Sequence, residues 1–187
     1  MPTIRPLRDF NEHEVLPTLF AWNPSGTYPQ AKGIAVKIIS GATIDQTIGM
    51  IGDVGQHYQN VVAQRYGVPA FVGAVTNSGD TAVGITLYDV RETDENGERL
   101  ILHPDKMERM QAVPSGWPVP ICRRGFFQYS GFTVSPKGGE PIYLSPANDG
   151  SFSTSGSAGV STRVGTAYGP TGSNGYTYVF LDFAHAS

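Results

Sequence analysis

Between Val119 and Phe183 every strand-like run is cut short by Gly, Pro or Ser. The runs are Ile121-Cys122, Phe126–Tyr129, Phe132–Val134, Ile142–Leu144, Gly150–Ser153, Thr162–Ala167 and Tyr176–Phe183. Aromatic and β-branched residues suit a pleated, half-buried surface, and the residues between them suit tight turns. Long helices are therefore excluded here. Gly and Pro number 23 and 14 in 187 residues, about a fifth of the chain against roughly 12% in average usage. There is no G-X-Y period, which excludes a collagen-like chain. The intervening apolar runs argue against wholesale disorder.

Upstream, the pattern repeats less regularly. Ile34–Ile39, Ala42–Ile48, Pro69–Thr76 and Thr81–Thr93 read as strands, with Asn77–Asp80 as a turn. Gly49, Gly52 and Gly55 match neither phosphate-cradling fingerprint and read as turn or bulge glycines. Gln56–Gly67 leans to strand or loop. Asn96-Gly97 predicts a two-residue I′ turn at a solvated hairpin tip, with Leu100–Leu102 as the returning strand. Pro104–Gln111 is the one helix candidate, with Pro at the first helical position and Asp105 near the positive end of the dipole. The expected organisation is a β-domain over residues 33–187: a first β-block 33–102, a helical link 103–116 and a second β-block 117–187. Gly73–Val90 and Gly165–Phe183 also echo one another. Each reads as strand, polar turn, apolar strand, either by chance or as two related β-units.

Residues 1–32 differ. Pro2, Pro6, Pro17, Pro24 and Pro29 punctuate a segment that still carries Phe10, Leu16, Leu19, Phe20, Trp22 and Tyr28. Pro disfavours helix interiors and strand ladders, so an extended N-terminal arm is expected. It either folds back on its own barrel or lies on a neighbouring subunit. Exposed aromatics need a cover, so Phe10, Leu16, Phe20, Trp22 and Tyr28 are the expected partner interface. The expected fold class is mainly β: a Gly/Pro-rich β-barrel, or a β-tulip or sandwich, with one short helix and this arm.

The chemistry-bearing residues are sparse. Charged residues are 16% of the chain, against about 25% in typical domains; a low-charge surface suits burial in an assembly. The net charge is −3, and the longest basic run is Arg123-Arg124, so a nucleic-acid partner is not expected. Cys122 is the single cysteine. It reads as a small buried hydrophobe and excludes an intrachain disulfide. No apolar core follows the first positive charge, so no signal peptide is expected, and no run is long enough for a membrane-spanning helix. His13, His57, His103 and His185 lack metal-ligand spacing. His57 with Asp53 is the one acid–base pairing worth naming, and Ser157 lies outside a G-x-S-x-G elbow. No catalytic residue, cofactor or metal site is expected.

Five segments carry a family resemblance: Val119-Pro-Ile, Gly138-Gly-Glu-Pro-Ile-Tyr143, Asp149-Gly-Ser-Phe152, Arg163-Val-Gly-Thr-Ala167 and Val179-Phe-Leu181. Together they resemble the layout of head-decoration, or cement, proteins of tailed bacteriophages of the small β-barrel or β-tulip type. The resemblance implies a virion protein, made in the host bacterial cytoplasm, on the capsid surface. It implies the major capsid protein as partner, and self-association as a homotrimer or, second, a homodimer. The alternative expectation is a carbohydrate- or receptor-binding module of a phage tail or fibre, using aromatics such as Trp22, Trp117 or Tyr129.

Overall fold

Short runs of aromatic and β-branched residues become strands, and the clusters between them become turns. The structure is a computed structural model. It describes residues 3–7, 14–16, 19–21, 31–39, 70–114, 117–132, 134–145, 150–156 and 162–183. In chain order the strands are β1 Thr3–Pro6, β2 Val15–Leu16, β3 Leu19–Ala21, β4 Ala35–Ile39, β5 Ala70–Ala74, β6 Gly84–Thr86 and β7 Asp89–Val90. After a 3-10 turn at Leu100–Leu102 and the helix α1 Pro104–Arg109 come β8 Ala112–Val113, β9 Ile121–Cys122 and β10 Arg124–Ser130. The last are β11 Pro141–Leu144, β12 Phe152–Ser153, β13 Arg163–Ala167 and β14 Thr177–Asp182. The protein is mainly β with one short α-helix and a curled half-barrel sheet.

Two six-stranded sheets organise the chain. The C-terminal sheet has the order β1-β10-β14-β13-β11-β12, and all its pairs are antiparallel. The central sheet has the order β2-β9-β6-β4-β5-β3, antiparallel except for β3 on β5. A small parallel pair, β7 with β8, stands apart from both.

Two apolar clusters hold these layers together. The larger joins Ile4, Phe127, Tyr129, Ile142, Leu144, Val164, Val179 and Leu181 of the C-terminal sheet to Ala35, Ile85 and Cys122 of the central sheet. The smaller packs Ala21, Val36, Val72 and Ile121 of the central sheet against Val90 and Val113 of the β7–β8 pair, and includes Val119. Consecutive residues therefore enter different cores: Ala35 one and Val36 the other, Cys122 one and Ile121 the other. This follows from the alternation of side chains across a strand. The central sheet is consequently buried on both faces around Ala35, Val36, Ile85, Ile121 and Cys122, whereas Ile38 toward the end of β4 is exposed. Fully burying one such side chain is worth roughly 1.5–3 kcal/mol. The approach of β6 to β9 needs glycine, because a Cβ on Gly84 would lie 2.6 Å from the Cys122 carbonyl oxygen.

Several expectations are corrected. The described parts of residues 1–32 are not an arm apart from the domain. β1 pairs with β10, β2 with β9 and β3 with β5. All three lie at sheet edges, where a strand next to proline loses no ladder bond. The division into two consecutive β-blocks also fails, since β9 joins the sheet that holds β4, β5 and β6. Thr81–Thr93 is not one strand: β6 and β7 belong to different sheets, separated by a bend at Leu87-Tyr88. Leu100–Leu102 turns as 3-10 helix instead of returning as a strand. Gly97 has φ +82°, but among the described residues Gln111 is the one non-glycine with positive φ, so Asn96-Gly97 is not a I′ turn. Phe132 is outside the strands, and β10 ends at Ser130.

The internal echo does not survive as equivalent hairpins. β13 and β14 pair directly, whereas β4 lies between β5 and β6. The turn Asn77–Asp80 is as expected: the Asp80 carboxylate accepts from the Thr76 and Asn77 amides at 3.0 Å each and from Lys37 Nζ at 2.7 Å. The predicted strand Ala42–Ile48, the glycines at 49, 52 and 55, Gln56–Gly67 and the turn residues Asn148-Asp149 lie outside the described residues.

Candidate interaction face

β10 and β14 are the longest strands described, and their pairing fixes the geometry of one face. Arg124 stands opposite Asp182, Phe126 opposite Phe180 and Gln128 opposite Tyr178. The intervening Phe127, Tyr129, Val179 and Leu181 are fully buried. Period-two alternation therefore sends the first set to the side of the C-terminal sheet away from the core. Arg5 of β1 is in register with Gln128, and Thr166 of β13 with Phe180, so both lie on this side.

An aromatic group occupies the middle of the face. The Phe126 ring meets Tyr168 edge-on at 5.0 Å and lies 6.4 Å from Tyr178 and 6.5 Å from Phe180. The planes make angles of 67°, 25° and 42° with Phe126, so the surface is ridged instead of flat. Tyr168 and Tyr178 remain 60% and 49% exposed. Large aromatics left open beside one another mark an interaction surface more than scattered single ones do. Gln128 Nε2 donates to the Tyr178 hydroxyl at 3.2 Å and steadies its ring.

Arginines surround the rings. The Arg124 guanidinium lies 5.4 Å from the centre of the Phe180 ring, and its Nε is 3.5 Å from the Asp182 carboxylate. The Arg5 guanidinium sits 4.4 Å from the centre of the Tyr176 ring. Arg163 donates to the Thr166 hydroxyl at 3.2 Å. Among the described residues no carboxylate pairs with Arg5 or Arg163. The face is thus cationic at its rim, although the whole chain carries a net charge of −3.

The residues expected at a partner interface are placed otherwise. Phe20 is 1% exposed, with its ring 5.7 Å from Phe71 of its own chain. It is covered internally and drops out of the interface. Leu16 is half-buried in β2, in register with Ile121. Phe10, Trp22 and Tyr28 lie outside the described residues. Of the aromatics considered for glycan binding, Tyr129 is fully buried between Phe132 and Phe152, and its hydroxyl accepts from the Phe152 amide. Trp117 is half-buried against the smaller core, and Trp22 lies outside the described residues.

The charged stretch at 91–99 is a largely exposed tip, bridged from Thr93 to Arg99, that is stapled to α1 through one buried carboxylate. Asp94 is 5% exposed. Its carboxylate accepts from the Asn96 and Glu98 amides at 2.8 Å each and from Lys106 of α1, which also reaches Glu98 at 2.9 Å. The Lys106 bond foremost holds the Asp94 carboxyl below its ordinary range, helped by the two amides and opposed by burial. Asp94 in turn raises Lys106, with Glu98 adding to the effect. Burial pushes Asp80 up, but the bonds from Lys37 and from the Thr76 and Asn77 amides together keep it lowered.

Cys122 is buried, and its thiol donates to the Arg124 carbonyl at 3.1 Å. His103 is exposed at the start of α1. His13, His57, His185, Asp53 and Ser157 lie outside the described residues. Among the described residues no group of three or more His, Cys, Asp or Glu could hold a metal ion, and no helix is long and apolar enough to cross a membrane. No protein-family model matches the chain, and no curated protein is significantly similar to it.

Proposed function

We propose that this chain is a structural virion protein of a tailed phage: it binds the outer surface of the assembled capsid and bridges neighbouring copies of the major capsid protein. One observation supports this beyond the resemblance itself. Its segments at 138–143, 163–167 and 179–181 run into β11, β13 and β14, three successive strands of a single sheet. The likeness thus gathers mainly on the C-terminal sheet, with Val119-Pro-Ile121 at β9 of the central sheet outside it. A protein that binds the assembled shell but not free subunits stabilises the shell by mass action. It does so without catalysis or a cofactor, and with neither nucleic acid nor membrane as partner. Copies associate as a homotrimer or, second, a homodimer, because closed symmetry matches local symmetry sites on a shell.

Mixing purified protein with expanded empty heads and pelleting them tests the reading. Co-pelleting that saturates, with a raised melting temperature of the heads, is the expected result. A second reading, a glycan- or receptor-binding module of a tail or fibre, draws on the exposed Tyr168 and Tyr178. Protein that stays in the supernatant yet binds host cells or their surface glycans selects that reading and removes the first.

A further inference from the structure

We infer that the outer face of the C-terminal sheet is the docking surface, and that its occupant is an acidic protein surface with an apolar centre. The inference rests on the capsid-binding reading and names the chemistry of that partner. Two features of the face select the occupant. Its middle is aromatic: Tyr168 and Tyr178 are open, and Phe126 and Phe180 are only partly covered. Its rim is cationic, since Arg5 and Arg163 have no carboxylate partner among the described residues and Arg124 is 58% exposed even with Asp182 beside it. Guanidinium groups donate to carboxylates in a two-bond fork, and Tyr with Arg is the side-chain mixture that anchors protein interfaces.

The charge around the rings favours a protein occupant, because Arg5, Arg124 and Arg163 rim an aromatic centre. The rings are tilted from Phe126 by 25° to 67°, so together they form no single flat plane. The chain's net charge of −3 makes the cationic rim local. Long-range attraction to an acidic partner would therefore act on this rim, where Arg5, Arg124 and Arg163 share one side of the sheet.

The test compares binding to purified expanded empty heads by wild-type protein, Arg5→Glu/Arg163→Glu and Tyr168→Ala. An Arg99→Glu/Arg109→Glu variant carries the same change in net charge at exposed positions beside the β7–β8 pair. These side chains are exposed, so each variant should keep the wild-type melting transition. Charge reversal on the face should weaken binding on the order of tenfold or more, and wild-type binding should fall with added salt. Tyr168→Ala should weaken binding at every salt concentration. The Arg99→Glu/Arg109→Glu control should bind as wild type.

Wild-type binding that survives both face substitutions overturns the docking assignment and leaves the capsid reading intact. Equal loss in the control variant also overturns it, because net charge alone would then govern binding. Retention of wild-type protein on an acidic polysaccharide column, with no binding to heads, replaces the protein occupant by a glycan. Absence of binding to heads and to the column removes the capsid reading, and the inference falls with it.

Discussion

The two large sheets solve opposite problems with similar strands. The central sheet is buried on both sides: Ala35, Ile85 and Cys122 enter one core, while Val36, Val72 and Ile121 enter the other. The C-terminal sheet buries one side only, and its other side carries Arg124, Phe126, Gln128, Tyr178, Phe180 and Asp182 in register. The difference shows where this molecule can change without unfolding. In the middle of the central sheet a side chain has packed neighbours whichever way it points, and only toward the end of β4 does Ile38 open to solvent at 55%. On the C-terminal sheet, half the positions are open to a partner.

The comparison breaks most severely if the N-terminal strands are dispensable. Deleting residues 1–25 removes β1 from one sheet and β2 and β3 from both edges of the other. The expected outcome is loss of the cooperative thermal transition, followed by circular dichroism. A truncated protein that melts as sharply as the full chain would return these residues to the status of an arm. Next in size is Ile121→Ala, which opens a cavity beside Val36 and Val119. Denaturant unfolding should show a loss of about 2–5 kcal/mol, as for large-to-small changes in packed cores.

The turn stapled to α1 gives a subtler, pH-dependent test. Asp94 and Lys106 tie the loop between β7 and β8 to α1. The folded-state carboxyl of Asp94 lies below its ordinary value of 3.8. Its contribution is therefore complete above that value and is lost as pH falls through the lowered folded value. Lys106 is raised above 10.5, so its share is present below that and is lost as pH rises through the raised value. The stability difference between wild type and Asp94→Asn should be constant near neutrality and should shrink in acid below the ordinary carboxylate range. A difference that grows on acidification would contradict the staple.

The smallest effect belongs to the open face. Tyr178→Ala removes a half-exposed ring and its bond from Gln128. Because cross-strand pairs contribute roughly 0.2–1 kcal/mol, the melting shift should be slight. A loss as large as that of Ile121→Ala would mean that the face is part of a core.

Much of this contrast was legible in the residues. The runs Phe126–Tyr129 and Tyr176–Phe183 read as strands and lie in β10 and around β14, and the Pro104 and Asp105 signals place α1 correctly. What alternation could not give was the phase. Both phases of β10 carry aromatics, Phe126 on one and Phe127 and Tyr129 on the other, so composition alone does not say which side turns inward. Register with Ile4 and Leu181 settles it. The prolines near the N-terminus argued for extension, and the described segments are extended. But proline is equally compatible with an edge strand, and β1, β2 and β3 are all edges. Asp94 was missed for a different reason. Its cation lies on a separate element, and local charge density around Asn96-Gly97 looked like a solvated turn.

Hydroxyl-radical footprinting of the free protein, read by mass spectrometry residue by residue, addresses the central contrast most directly. Tyr168 and Tyr178 should oxidise rapidly, while Phe20, Ile121 and Tyr129 should stay protected until the protein unfolds. Oxidation of Tyr129 or Phe20 as fast as Tyr178, or protection of Tyr168 and Tyr178 in the monomer, would contradict a molecule with one doubly buried sheet and one open face.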